Sequence, residues 1–277
     1  MCEKGIFYIA TGEEYTEEAA HSAKSVKSVL KNIPVAIATD QDEVHGIFDT
    51  KVKITDSNSD FSDQINNLSK SPFKKTIHLD TDIYADEPFE ELFDVLTKFD
   101  IAAAHNHDRS TYEVTGVPSS FPEYNTGVLA YINSKDFSNF LSTWNSRYKE
   151  LLKEENKQNQ PSFRKALYES DLRIATLPPE YNLMTRYPGH AVGSVKLFHG
   201  RLIDFDADGA GRYHNIYSFS NKINSTDQHR VFTQLGGLNM YTNKENSILH
   251  KYRLAVQRHG ILEASRRSIE KILNGRD

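Results

Sequence analysis

The chain has 277 residues, 38% hydrophobic and 26% charged, with a formal net charge of -5; this length buries one sizeable α/β core and the composition excludes extended disorder. An acidic balance gives no global case for binding nucleic acid, and a single cysteine, Cys2, excludes a disulfide framework or a cysteine-based zinc site. The opening MCEKGIFYIA lacks a long apolar signal core and no apolar run is of membrane-spanning length, so the expectation is a cytoplasmic protein.

In chain order, short apolar runs alternate with helical patterns, as in a mostly parallel sheet with crossover helices. GIFYIAT (5–11) reads as a strand. A helix follows from Thr16 as N-cap, with Glu17 and Glu18 in the positive end of its dipole and Ala19, Ala23, Val26 and Leu30 on one face. Strands are expected at PVAIATD (34–40), TKVKIT (50–55) and KKTIHLD (74–80). Pro88 opens a helix through Leu96, DIAAAH (100–105) is a buried strand, and NTGVLAYIN (125–133) is another. Asp136 to Asn156 forms a long amphipathic helix carrying Phe137, Phe140, Leu141, Trp144, Tyr148 and Leu151. A helix at 163–168 and strands at RIATL (173–177) and VKLFHG (195–200) complete a domain expected to span 1–215. Residues 216–277 form a mostly helical C-terminal extension, with a tail made basic by Lys251, Arg253, Arg258, Arg266, Arg267, Lys271 and Arg276. That tail reads as a solvated helix face, with peripheral contact to a membrane surface or a partner as the alternative.

KKTIHLDTDIYADEP (74–88) raises the chemical question, because Asp80 and Asp82 stand at the end of a strand. Side chains two apart on an extended chain share a side, so the two carboxylates converge if the strand geometry continues through Thr81. Two close carboxylates repel unless a cation joins them, and Mg²⁺ or Mn²⁺ accepts such oxygens while leaving positions for phosphate oxygens. Open α/β sheets also bind their ligands at the carboxyl ends of their strands. An Asp-x-Asp in a polar turn is nonetheless a common surface feature.

An ordered series of segments over about the first 200 residues resembles the glycosyltransferases of the GT-A fold, and within them glycosyltransferase family 8, which includes glycogenin and bacterial galactosyltransferases. The likeness implies a mixed, mostly parallel Rossmann-like sheet flanked by helices. YIATGEEYTEEAAHSAKSVKSVL resembles the opening strand and helix that hold the nucleoside of a UDP-sugar, which places Ala10, Thr11, Gly12 and Tyr15 there. KKTIHLDTD resembles the metal strand, with Asp80 and Asp82 as ligands, Thr81 between them, and Lys75 on a basic position near the donor. YNTGVLAYIN resembles the strand whose Asn faces the sugar, here Asn125; NQPSFRKAL resembles an Asp-Gln segment beside the reacting sugar; VKLFHG resembles the strand supplying a metal-binding His, here His199. The implied activity is transfer of a sugar from a nucleotide-sugar donor, UDP-linked by preference, to a hydroxyl of a glycan or related acceptor. It would depend on Mn²⁺ or Mg²⁺, with retention at the anomeric carbon as the family expectation.

Two segments depart from the family. Asn159 stands where the family has Asp, with Gln160 retained, and after His199 the chain runs HGRLIDF where the family has a Gly followed by Lys-Pro-Trp. Gly200 and Arg201 are candidate donor-binding residues there, and only by position would Arg201 or Arg212 substitute for that closing segment. By themselves several residues have plain structural readings: Tyr15 as a staple of helix to sheet, Lys75 as a surface lysine, His199 as a core histidine, Asn125 as the cap of a turn, and HNHD (105–108) as a loop lining a sugar rather than a second metal centre. Competing functions are a phosphatase of the haloacid dehalogenase type, with Asp80 as nucleophile, and a catalytically weak sugar-nucleotide-binding protein, which Asn159 favours.

Overall fold

The computed structural model describes residues 2–58, 60–106, 112–153, 158–185, 187–200, 216–225, 229–232, 241–242, 252, 255–257 and 259–273. Strands β1 (Cys2–Ala10), β2 (Val35–Thr39), β3 (Thr50–Lys53) and β4 (Phe73–Leu79) are followed by a short β5 (Ile83–Ala85) that leaves the sheet. With β6 (Ile101–His105), β7 (Tyr124–Ile132) and β8 (Ile174–Leu177) they form a seven-stranded sheet in the order β3-β2-β1-β4-β7-β6-β8. Neighbours are parallel except around β7, which runs antiparallel to both β4 and β6. This reversal brings the start of β7 to the edge where β1, β4 and β6 end.

Alternation along the strands divides the core between the two faces. On one face Ile77 and Leu79 of β4 and Val128 and Ala130 of β7 pack with Ala19, Ala23 and Val26 of α1 (Glu13–Val29). On the other, Leu129 and Tyr131 of β7 meet the aromatic stripe Phe137, Phe140, Trp144 and Tyr148 of α4 (Lys135–Leu152) and Phe163 of α5 (Gln160–Tyr168). Ser134 caps α4 through its side chain, which accepts the Phe137 N–H at 3.2 Å. The short α2 (Ser62–Asn67) and the single-turn α3 (Leu92–Val95) lie before these in the chain.

Outside the main sheet, β5 pairs antiparallel with β11 (Leu197–His199), which also lies parallel to β9 (Leu183–Met184). A second small sheet joins β10 (Gly189–Ala191), β12 (Arg230–Phe232) and β13 (Tyr241–Thr242). Ile216, Phe219 and Ile223 of α6 (Ile216–Ile223) pack on Leu183, Val195 and Phe198. The described part of the C-terminal region thus contains two strands as well as α6 and α7 (Ile261–Leu273), and the boundary expected at residue 215 lies outside the described residues. No helix among the described residues is long and apolar enough to cross a membrane.

Several element boundaries differ from the pattern in the sequence. The first helix starts at Glu13, not after Thr16: Gly12, at φ 84, turns the chain and its carbonyl accepts both the backbone N–H and the hydroxyl of Thr16 at 3.1 and 2.8 Å. The helix expected from Pro88 is reduced to one turn at 92–95, preceded by bonds of the i to i+3 kind such as Leu92 N–H to the Phe89 carbonyl. There Lys196 Nζ takes the Pro88 carbonyl at 2.8 Å, and Glu91 bonds Lys196 and the Tyr181 hydroxyl. α5 begins at Gln160, three residues before the expected start, and α4 ends at Leu152, with Asn156 outside the described residues.

Candidate metal and donor site

Asp80 directly follows β4, and a turn through Thr81 and Asp82 leads directly into β5. The turn is held from two sides: the Asp80 N–H donates to the Gly127 carbonyl of β7 at 2.8 Å, and the Gly200 N–H donates to the Asp82 carbonyl at 2.9 Å. Pairing of Ile83 with His199 then sets the imidazole of β11 against the two acids. His199 Nε2 lies 3.2 Å from Asp82 Oδ1 and 3.8 Å from Asp80 Oδ2, and one ligand atom from each residue lies within 4.8 Å of the others. Asp82 and His199 are 8% and 5% exposed, while the Asp80 side chain is 37% exposed, so the cluster is buried on one side and open to solvent at Asp80.

The ring is oriented from behind. Asn182 Nδ2 donates to Asn125 Oδ1 at 2.8 Å, which directs Asn182 Oδ1 toward His199 Nδ1 at 2.9 Å. Nδ1 thus donates to that oxygen and Nε2 is the ring atom that faces the carboxylates, the side from which a neutral histidine ligates a cation. Two carboxylates and an imidazole lone pair in one small volume require positive charge between them, and mixed oxygen and nitrogen donors fit a divalent cation. Asn125 Oδ1 also accepts the Gly127 N–H at 2.9 Å. Gly127 is needed for closeness: a Cβ there would lie 2.3 Å from His199 Cε1 and 2.9 Å from Asp80 Oδ2.

The other oxygen of Asp80 faces an amide network. Gln64 of α2 places Nε2 3.4 Å from Asp80 Oδ1, 3.0 Å from the Thr126 carbonyl and 2.9 Å from His78 Nε2. Its Oε1 accepts from Asn159 Nδ2 at 2.7 Å. Asn159, 3% exposed, is fixed through its backbone, whose carbonyl accepts from Ser162 Oγ at 2.6 Å and Trp144 Nε1 at 3.3 Å.

The residues assigned to the nucleoside leave the same edge on the neighbouring strand. Ala10 ends β1, and Thr11 Oγ1 donates to Asp63 Oδ2 at 3.1 Å. The Gly12 N–H donates to Asp40 Oδ1 at 2.9 Å. Burial opposes ionisation of Asp40, but bonds from the Gln41 side chain and the Gly12 N–H, with the charge of Lys53, outweigh it and hold the carboxyl below its ordinary value. Tyr15 is 43% exposed in the first turn of α1. Thr81 Oγ1 donates to Glu18 Oε2 at 2.7 Å, so Glu18, fully buried, braces the turn between the acids and is not a solvated first-turn residue.

Lys75 is not brought to this site. It is the third residue of β4, five positions before Asp80, which at about 3.3 Å per residue puts it roughly 16 Å away along the strand. Gln160 opens α5, half-buried beside Asn159. Gly200 lies at the cluster, whereas Arg201 and Arg212 lie outside the described residues. Of HNHD, His105 ends β6 with its ring 5.3 Å from that of Tyr124, Asn106 donates to Glu123 Oε1 at 2.9 Å, and His107 and Asp108 lie outside the described residues. Gln64, His78 and Asn182 were not singled out in the sequence, where each looks like an ordinary polar residue of a helix, strand or loop.

No family model and no curated protein sequence matches this chain. Among solved structures it is similar to the galactosyltransferase LgtC, determined in complex with donor and acceptor sugar analogues, with a TM-score of 0.52 and 15% sequence identity over 65% of this chain and 75% of that one. The fold is the GT-A fold. Within a GT-A sheet, the cluster of Asp80, Asp82 and His199 stands at the carboxyl end of a central strand, where open α/β sheets take their ligands.

Proposed function

We propose that the chain is a metal-dependent glycosyltransferase moving a sugar from a nucleotide-sugar, with UDP as the favoured nucleotide, to a hydroxyl of a glycan or related acceptor, with retention at the anomeric carbon. The observation that carries this reading is the convergence of Asp80, Asp82 and His199 at the sheet edge, with His199 Nε2 facing into the cluster. These three residues would hold the cation, and their oxygen and imidazole donors suit Mn²⁺ better than Mg²⁺. When bound, the ion supplies stabilisation of the negative charge that builds on the leaving diphosphate.

The chain's own residues do the rest. Thr11 offers the nucleoside a main-chain edge beside Ala10 and Gly12, and Tyr15 offers an aromatic face for the base. Thr81, fixed by Glu18, keeps the turn between the two acids in place. Asn125 orients the histidine through Asn182, and Gln160 presents its amide beside the reacting sugar. With Asp80 and Asp82 committed to the cation, neither is left as a nucleophile, so the reading is front-face substitution. The bond from the anomeric carbon to the diphosphate oxygen breaks, the acceptor oxygen bonds on the same face, and the acceptor proton passes to the leaving phosphate.

The test is nucleotide release by the purified chain over a panel of UDP- and GDP-sugars with Mn²⁺, repeated with EDTA and with Asp82→Ala. Release selective for one donor, dependent on the metal and absent from the variant is expected. Absence of both turnover and metal-dependent nucleotide binding would sink the reading.

A further inference from the structure

Resting on the metal site proposed above, we infer that Asn159 and Gln64 act as one positioning relay for Asp80, and that the relay requires an amide donor, not a carboxylate, at position 159. The direction of every bond follows from an acceptor at its far end. The Phe7 carbonyl, within β1, can only accept, and it lies 3.1 Å from His78 Nδ1. In the neutral ring the proton is then on Nδ1 and the lone pair on Nε2. The Gln64 amide atom 2.9 Å from His78 Nε2 also faces the Thr126 carbonyl and Asp80 Oδ1, which can only accept, and this makes it the nitrogen.

Once the nitrogen is committed on that side, Gln64 Oε1 faces Asn159 Nδ2, where an acceptor meets a donor at 2.7 Å. The second proton-bearing contact of Asn159 Nδ2 is with Thr126 Oγ1 at 3.3 Å. Position 159 cannot evade the requirement by moving, since its backbone carbonyl is held by Trp144 and Ser162. A carboxylate there would set oxygen against oxygen. Turning the Gln64 amide over to relieve that contact would set Oε1 against three acceptors at once: His78 Nε2, the Thr126 carbonyl and Asp80 Oδ1. The Gln64 N–H also lies between His78 Nε2 and Asp80 Oδ1, which are 3.4 Å apart and would otherwise present lone pair to anion.

The consequence for the cation is geometric. With Oδ1 of Asp80 engaged by Gln64, Oδ2 is the oxygen turned toward His199. Orienting partners of this kind usually change metal affinity by about 10- to 100-fold when removed. A relay also behaves as a unit, so removing both members costs no more than removing one.

The experiment is calorimetric titration of the full-length chain with MnCl₂, and with UDP in the presence of MnCl₂, for the wild type, Asn159→Ala, Gln64→Ala, their double variant and Asn159→Asp. Thermal unfolding of each variant reports the fold. Each single alanine variant is expected to bind Mn²⁺ roughly tenfold to 100-fold more weakly with little change in unfolding midpoint, and the double variant no more weakly than the worse single one. Asn159→Asp is expected to weaken Mn²⁺ binding too, although an added negative charge acting by attraction alone would tighten it. Tighter or unchanged binding in Asn159→Asp, or additive losses in the double variant, overturns the relay while leaving the metal site standing. A wild type that takes up neither Mn²⁺ nor UDP removes the metal site and the relay together. Should Asn159→Asp fail to fold, Gln64→Ala and the double variant carry the test.

Discussion

The interior of the seven-stranded sheet and its carboxyl-end edge are made of different materials. In the interior, β2 is buried along its whole length as VAIAT, and the face under α4 is filled by Tyr131, Phe137, Phe140, Trp144 and Phe163. At the edge the buried residues include Asn125, Thr126, Asn159, Asn182 and His199, joined by side-chain bonds between segments as much as 95 positions apart. Interior positions are filled by shape and apolar area, which many side chains can supply. Edge positions are filled by the direction of a donor or an acceptor, which one or two residue types supply. A substitution of similar volume should therefore be tolerated inside and costly at the edge, and a large deletion should do the reverse.

The strongest test of that contrast is the addition of one methyl group at the edge. Gly127→Ala places a carbon 2.3 Å from His199 Cε1 and 2.9 Å from Asp80 Oδ2, so both must shift. Mn²⁺ affinity measured by calorimetry is expected to fall by about 10- to 100-fold, toward the upper end for loss of an orienting group, with the chain still folding cooperatively. The complementary interior deletion is Trp144→Ala, which empties a fully buried position. It should lower stability by about 3–5 kcal/mol in urea unfolding. Because Trp144 Nε1 also donates to the Asn159 carbonyl, Trp144→Phe should retain most of the packing and still disturb the edge, which sharpens the boundary between the two regions.

The smallest effect is electrostatic. Asp40, at the edge beside Gly12, and Asp49, whose burial is outweighed by bonds from Lys27 and the Val35 N–H, both titrate below the ordinary 3.8. The native state then binds fewer protons than the unfolded chain in that range. Their contribution is complete above 3.8 and is lost as pH falls below it through the depressed native values. Urea midpoints should be flat from neutral pH to about 5 and then decline in acid. Asp40→Asn, which retains an acceptor for Gly12, should flatten part of that decline.

How much of this was legible in the sequence follows from the same contrast. The strands and the aromatic stripe of α4 were legible because periods of two and of about 3.6 residues survive in the chain whatever its neighbours do. The acid pair was visible as chemistry at the end of a strand, while His199 needed the family resemblance to be distinguished from a core histidine. Gln64 and Asn182 were invisible because their partners are set by how distant strands and loops meet, and no local period encodes the meeting of residue 64 with residue 159. Lys75 shows the converse error. It lies in the same short segment as Asp80, but an extended strand carries neighbours in sequence far apart in space. Thr16 was read as a cap on residue type alone, whereas the positive φ of Gly12 determines where α1 begins.

Arg164, fully enclosed in α5, spends its guanidinium on three main-chain carbonyls, those of Phe121, Tyr112 and Pro118, at 2.8 to 2.9 Å. Carbonyl oxygens belong to every residue, so this grip registers the path of the 112–121 segment and is blind to its lettering. The rim before β7 can thus be rewritten residue by residue while keeping its course, as a frame keeps its outline when the picture in it is changed.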